Sequence, residues 1–233
     1  NYANVDAAWT PFTADLSEFA GQTVQILIEA GDRYRNSLVE AAVDDISIKI
    51  AGGGSVNLIH ADFDTDPEGF SYLDDAFRGT SQPAYASGIY QGSGGVEGGC
   101  LKVALGGLDR TIIKNISGGW VKSFTLASEA DVLVSFWYNL TQSPDYDLDE
   151  FSQALVSLDG TLYGSGTLDF VAQIDGNGNG GISETTGWQQ FSTLINDLPA
   201  GEHTIRIGGY NNQKSYTNES TEILIDQVQI IVP

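Results

Sequence analysis

Cysteine, histidine and basic side chains are all scarce in this chain. Of its 233 residues only Cys100 is a cysteine, so no internal disulfide can form. A lone thiol reads as a small buried hydrophobe rather than a nucleophile, because activation needs a cationic or histidine partner. His60 and His203 are too few for a metal triad, and neither a His/Glu zinc spacing nor a G-x-S-x-G nucleophile elbow occurs. Lysine and arginine together number 10 against 31 acidic residues, a net charge of −21. Such a surface repels phosphate backbones and anionic lipid, which excludes nucleic acid as a partner; it suits divalent cations, high salt or a cationic partner. No apolar run approaches the ~18 residues that span a bilayer. No segment carries the period of a ten-residue helix, and LSEFAG (16–21) offers at most one turn.

What the chain does have is short alternating apolar runs. They include TVQILIEA (23–30), VDDISIKI (43–50), CLKVAL (100–105), ADVLVSFWYNL (130–140), FSQALVSL (151–158), LDFVAQI (168–174), HTIRIGGY (203–210) and EILIDQVQIIV (222–232). Gly, Asn, Asp and Ser clusters separate them, and glycine alone supplies 28 residues. Strands of this length and spacing predict an all-β, two-sheet sandwich. In 132–140, Val132, Val134, Phe136, Tyr138 and Leu140 fall on one face as core, and Leu133, Ser135, Trp137 and Asn139 on the other.

The ending is also repeated near the beginning. Trp9, Phe12, Ala20-Gly21, Glu40 and Asp44 recur in order as Trp188, Phe191, Ala200-Gly201, Glu222 and Asp226. Residues 1–50 are therefore expected to be the closing strands of a truncated β-sandwich module, 51–56 a Gly-rich linker, and 57–233 a complete module. The organisation is that of a modular protein, with further modules of the same parent as partners.

Two acidic motifs suggest a cation. DGNGNGGIS (175–183) places Asp175, Asn177 and Asn179 at alternate positions before Gly180, as in the front half of a calcium loop. Thr186 stands where such a loop carries its bidentate glutamate, and Asn-Gly pairs also make simple hairpin tips. HADFDTDPEGF (60–70) carries Asp62, Asp64 and Asp66, and the last strand carries Asp226.

The strands NLIHADFD, GGCLKVAL and ILIDQVQI resemble those of the calcium-stabilised β-jelly-roll modules of secreted bacterial glycoside-active enzymes. That resemblance implies a structural calcium held by Asp62 or Asp64 together with Asp226. NSLVEAAVDDISI (36–48) resembles the closing strands of accessory jelly-roll domains on secreted bacterial metallopeptidases. DYDLDEF (145–151) carries acidic residues but lacks the glutamates of the laminarinase-like glycosidases, and Pro144 marks it as a loop.

The resulting expectation is a non-catalytic, secreted or cell-surface jelly-roll module that binds a polysaccharide or glycan and carries calcium. Trp137, Asn139, Gln153, Arg206 and Tyr210 are the expected ligand contacts, on one face if neighbouring strands keep simple alternation. The alternatives are a structural or adhesive accessory domain with no sugar ligand, and a jelly-roll glycosidase or polysaccharide lyase.

Overall fold

Period-two patterns become strands only when each finds a neighbour for its backbone N–H and C=O groups. A computed structural model of the chain describes residues 10–16, 19, 24–29, 43, 55–178 and 180–233. The chain divides into two units, Asn1–Gly54 and Ser55–Pro233. In the first, the amide of Phe19 donates to the carbonyl of Leu16 (2.9 Å), which closes a single turn. Residues 24–29 are not in a strand, contrary to the alternation of TVQILIEA. The rest of the closing-strand reading of 1–50, including VDDISIKI apart from Val43, lies outside the described residues.

In the second unit the strands are β1 (Val56–Ala61), β2 (Ser71–Asp74), β3 (Ala86–Gln91), β4 (Cys100–Gly106), β5 (Ile113–Leu126), β6 (Ala130–Gln142) and β7 (Phe151–Leu158). Then follow β8 (Thr161–Tyr163), β9 (Ala172–Asp175), β10 (Glu184–Thr185), β11 (Gln189–Leu198), β12 (Gly201–Lys214) and β13 (Ser220–Val232). A seven-stranded sheet runs β3–β4–β13–β6, with β10 and β11 on the far edge of β6 and β1 beside β13; a six-stranded sheet runs β2–β5–β12–β7, with β8 and β9 beside β7. All pairings are antiparallel. Strands pair from the outside inward along the chain: β4 with β13, β5 with β12, β6 with β11, β7 with β8 and β9. That nesting, with successive pairs alternating between two sheets, is a jelly roll. No helix among the described residues is long and apolar enough to cross a membrane.

The core lies between the sheets. Val132, Val134, Phe136, Tyr138 and Leu140 of β6 are buried there, as their alternation predicts, opposite Ile205 and Ile207 of β12 and Val156 of β7. Cys100 is buried, and burial pushes its thiol up to about 11, which keeps it protonated and inert.

His203 is held between two acceptors at one end of this core. Its Nδ1 lies 2.7 Å from Asp159 Oδ2 and its Nε2 lies 2.8 Å from the carbonyl of Pro199, so both ring nitrogens face acceptors. Only the imidazolium donates from both. Burial alone would lower its pKa, but the hydrogen bonds to Asp159 and Pro199 outweigh burial and hold it above the ordinary 6.5. A raised value means this stabilisation is complete below pH 6.5 and is lost as pH rises through the folded-state value. His203→Gln should therefore lower the melting temperature clearly at pH 5.5, by the equivalent of about 1–2 kcal/mol, and much less at pH 9. Equal losses at both pH values would refute a protonated His203.

Candidate functional site

Part of the outer side of the six-stranded sheet, over β7 and β12, is covered. Arg206 and Tyr210 of β12 and Gln153, Leu155 and Ser157 of β7 point away from the main core, yet Leu155 is fully buried. Two loops roof this face. Residues 75–80 follow β2, residues 164–171 follow β8, and Ala76, Phe77, Leu162 and Phe170 form with Leu155 and Tyr210 a second small apolar cluster.

Glycines make the roof possible. In register, Gly208 of β12 faces Gly119 of β5. A side chain on Gly119 would meet the ring of Phe77 at 2.9 Å, and one on Gly208 would meet the carbonyl oxygen of Gly118 at 2.2 Å. The loop therefore lies directly on sheet backbone. Ser117 pins it there: its Oγ accepts from the amide of Phe77 (3.0 Å) and its carbonyl accepts from the amide of Asp75 (2.9 Å). Asp75 and Arg78 take left-handed backbones, φ 49° and 55°, a conformation costing on the order of 1 kcal/mol for each non-glycine residue. Asp75 Oδ1 holds the bend by accepting from Thr80 Oγ1 (2.8 Å) and the amide of Gln82 (2.7 Å).

Under the roof runs a polar chain. Arg78 donates to Gln153 Oε1 (3.1 Å), pairs with Asp169 (3.1 Å) and stands over the Tyr210 ring, 5.1 Å from its centroid. Gln153 passes a hydrogen bond to Gln173 (2.6 Å), which passes one to Asp175 (2.6 Å); the Tyr210 hydroxyl donates to Asn115 (2.6 Å). Beside this chain opens a cavity of about 310 Å³ lined by residues 75–79 and by Ser157, Gly160, Leu162 and Arg206. Two groups on its wall have unused hydrogen-bonding capacity. Ser157 Oγ is buried without a partner. Arg206 donates from Nη1 to the carbonyl of Ala76 (3.1 Å) and forms no ion pair with any described carboxylate.

The expected ligand contacts thus divide between two faces. Gln153, Arg206 and Tyr210 meet on the roofed face, where Gln153 and Tyr210 are buried and committed to Arg78. Trp137 and Asn139 lie on the outer face of the other sheet, across the sandwich, so the five do not share one face. The reason is topological: β6 and β7 are consecutive but belong to different sheets. Asn139 Oδ1 is taken by Thr185 Oγ1 (2.8 Å), and half-buried Trp137 stands in register with Asp226 and Gln190. Sequence reasoning missed Arg78 and Ser157. The first had a signal, as one of five arginines in the chain and one of two that meet here.

The acidic residues gather elsewhere. Asp226 is fully buried. Its Oδ2 accepts from the amides of Val96 (2.7 Å) and Glu97 (3.4 Å), and its Oδ1 from that of Gln227 (2.7 Å). Burial raises its pKa, and the negative charge of Asp64 raises it further. The position that a Gly95 side chain would take is ringed by oxygen: the carbonyl of Gly99 at 2.1 Å, Asp226 Oδ2 at 2.5 Å and the carbonyl of Glu97 at 2.7 Å. Asp64 Oδ1 fills the place that a Gly98 side chain would take, and Asp62 Oδ1 accepts from the amide of Asp64 (3.1 Å). Carbonyl and carboxylate oxygens without a basic partner are the donor set of a hard cation, so the residues around Gly95 fit calcium. Among the described residues, no three His, Cys, Asp or Glu side chains converge as a metal cluster.

In the other motif Asp175 accepts from Gln173, and Asn177 Nδ2 donates to the carbonyl of Ile182 (3.1 Å) and to Glu184 (2.7 Å). Asn179 lies outside the described residues. The DYDLDEF loop is partly buried: Tyr146 and Glu150 are buried, and Glu150 accepts from the amide of Asp147 (3.0 Å) and from Gln213 (3.1 Å).

No family model and no curated protein matches the chain. The solved structures it resembles include carbohydrate-binding modules and adhesin domains. The K1 cleaved adhesin domain of Lys-gingipain from Porphyromonas gingivalis W83 is 14% identical over 76% of this chain and 98% of its own, with a TM-score of 0.40. TmCBM27, a carbohydrate-binding module with specific mannan recognition, is 16% identical over 78% and 99%, with a TM-score of 0.39. TmCBM61, solved with β-1,4-galactotriose, is 11% identical over 70% and 88%, with a TM-score of 0.36.

Proposed function

We propose that this chain is a non-catalytic carbohydrate-binding module of a larger secreted or cell-surface protein, and that it takes a saccharide in the roofed cavity of the six-stranded sheet. The observation that carries this reading is the cavity wall itself. The Arg206 guanidinium faces the space with donors to spare, and Phe77 and Leu162 supply apolar surface for the CH faces of a sugar ring. A concave space with a few polar groups among apolar ones is the usual form of a ligand site. Hydrolysis is not favoured: Asp75 is the one carboxylate on the lining, its Oδ1 is already held, and a glycosidase needs two carboxylates across the bond.

Calcium is part of the proposal. It would be held by Asp226 with the carbonyls of Glu97 and Gly99, helped by the charge of Asp64, and would fasten the 92–99 loop to the last strand. Its role there is structural, since these residues belong to the seven-stranded sheet and the cavity to the other.

Isothermal titration against a polysaccharide panel, with calcium present, tests the site. Arg206→Ala should cut affinity at least tenfold, the loss expected when a charged hydrogen-bonding group is removed from a binding site. Trp137→Ala, on the opposite face, should leave affinity unchanged. The reverse pattern would move the site to the seven-stranded sheet, and no binding to any glycan would leave a structural accessory domain.

A further inference from the structure

Resting on the roofed cavity as the saccharide site, the geometry points to a ligand that carries a carboxylate: an isolated uronic acid unit within an otherwise neutral glycan. The chain has five arginines, and two of them meet at this cavity. Arg78 is already neutralised by Asp169 and held by Gln153 and the Tyr210 ring. Arg206 is not. Among the described residues its one side-chain hydrogen bond goes to the carbonyl of Ala76, and none of the described ion pairs includes it.

Ser157 is the direct cross-strand partner of Arg206, a relation that brings the two Cβ atoms to about 5 Å. Its Oγ is the unpartnered buried hydroxyl on the wall. The guanidinium fork of Arg206 has N–H donors left to offer the oxygens of one carboxylate. A neutral sugar would leave the half-buried charge of Arg206 without a counter-ion, which a carboxylate supplies.

The rest of the molecule limits how anionic the ligand is. With a net charge of −21 and Asp75 on the same wall, a dense polyanion is repelled before it reaches the cavity. The fit is to single acidic units spaced along a neutral chain, or at its end. A sulfate ester offers similar oxygens but is larger and tetrahedral, and the planar fork favours the carboxylate.

The test is titration with glucuronoxylan, glucuronate-bearing arabinogalactan and sparsely de-esterified pectin, each before and after reduction of its carboxylates to alcohols. Polygalacturonate serves as the dense polyanion and a sparsely sulfated agar as the sulfate control. At least one sparsely acidic polymer should bind, with affinity at least tenfold above its reduced form and above polygalacturonate. Arg206→Gln should lose the same factor on the acidic form and nothing further on the reduced form, a double-mutant cycle that ties charge to charge. Arg206→Lys should recover only part, because an ammonium lacks the fork. The reduction arm uses unaltered protein, so it decides the matter even if a variant folds poorly. Affinity unchanged by reduction, or binding of the sulfated agar alone, overturns the uronate assignment while leaving the cavity as a glycan site. Failure of every polymer, native or reduced, removes the cavity reading itself.

Discussion

Replacing Phe136 by alanine should destabilise the sandwich by about 3–5 kcal/mol, the range for truncating a large aromatic in a closed core. Phe136 sits on β6, the strand between β13 and β11 in the seven-stranded sheet, and is almost fully buried. Its ring centroid is 5.4 Å from that of Phe191 on β11 and 6.3 Å from that of Tyr138. Removing it deletes contacts to both neighbours and leaves a void bounded by two paired sheets, which cannot collapse to fill it without breaking ladder hydrogen bonds. Whole domains have only about 5–15 kcal/mol to lose, so the urea midpoint should fall by a large fraction. Ser135→Ala, one residue earlier on the outer face, should shift stability by less than about 0.5 kcal/mol. A small effect at Phe136, or similar effects at both positions, would mean that β6 does not divide core from surface as its alternation indicates.

That division was legible in the sequence because alternation is a property of one strand. Each apolar member of Val132 to Leu140 follows from the pleat alone. The pairing of β6 with both β11 and β13, and the assignment of β7 to the other sheet, depends on chain reversals that leave no periodic trace. Contacts inferred by extending one face of β6 to β7 therefore landed on opposite sides of the sandwich. The roofed cavity was illegible for a different reason. Leu155 and Ser157 occupy outward positions that a strand pattern assigns to solvent, and they are buried by loops arriving from 80 residues earlier and 10 later in sequence, by rough count. The glycine pairs at 118–119 and 208–209 were visible as letters. Their meaning, a floor thin enough for Phe77 to rest on, appears only when the two pairs face each other. Asp226 was the opposite case: a carboxylate inside a closing apolar strand stands out because such a position is costly without partners.

Asp226→Ala should cost on the order of 3 kcal/mol, because it strips a buried charged acceptor from three backbone N–H groups. Three amides lose their partner at once, those of Val96, Glu97 and Gln227. The first two tether the 92–99 loop; the third sits at the irregularity in β13, where Gln227 adopts φ 50°. The dependence on pH and calcium separates a carboxylate held by amides alone from one that also holds a metal. Without a cation, burial and the Asp64 charge keep the folded pKa of Asp226 above its ordinary 3.8. This group's contribution then falls as pH rises from 3.8 through the raised value and is flat above it. A bound calcium ion holds the carboxylate ionised and pushes its folded pKa below 3.8, so the slope changes sign and stability is lost on acidification instead. Melting curves between pH 3.5 and pH 7, with excess calcium and with chelator, should show that reversal in the unaltered protein, together with a higher melting temperature in calcium at neutral pH. Asp226→Asn should abolish both differences. Identical curves with and without chelator would leave Asp226 as a loop clamp and remove calcium from the proposal, while the cavity on the opposite sheet would bind as before.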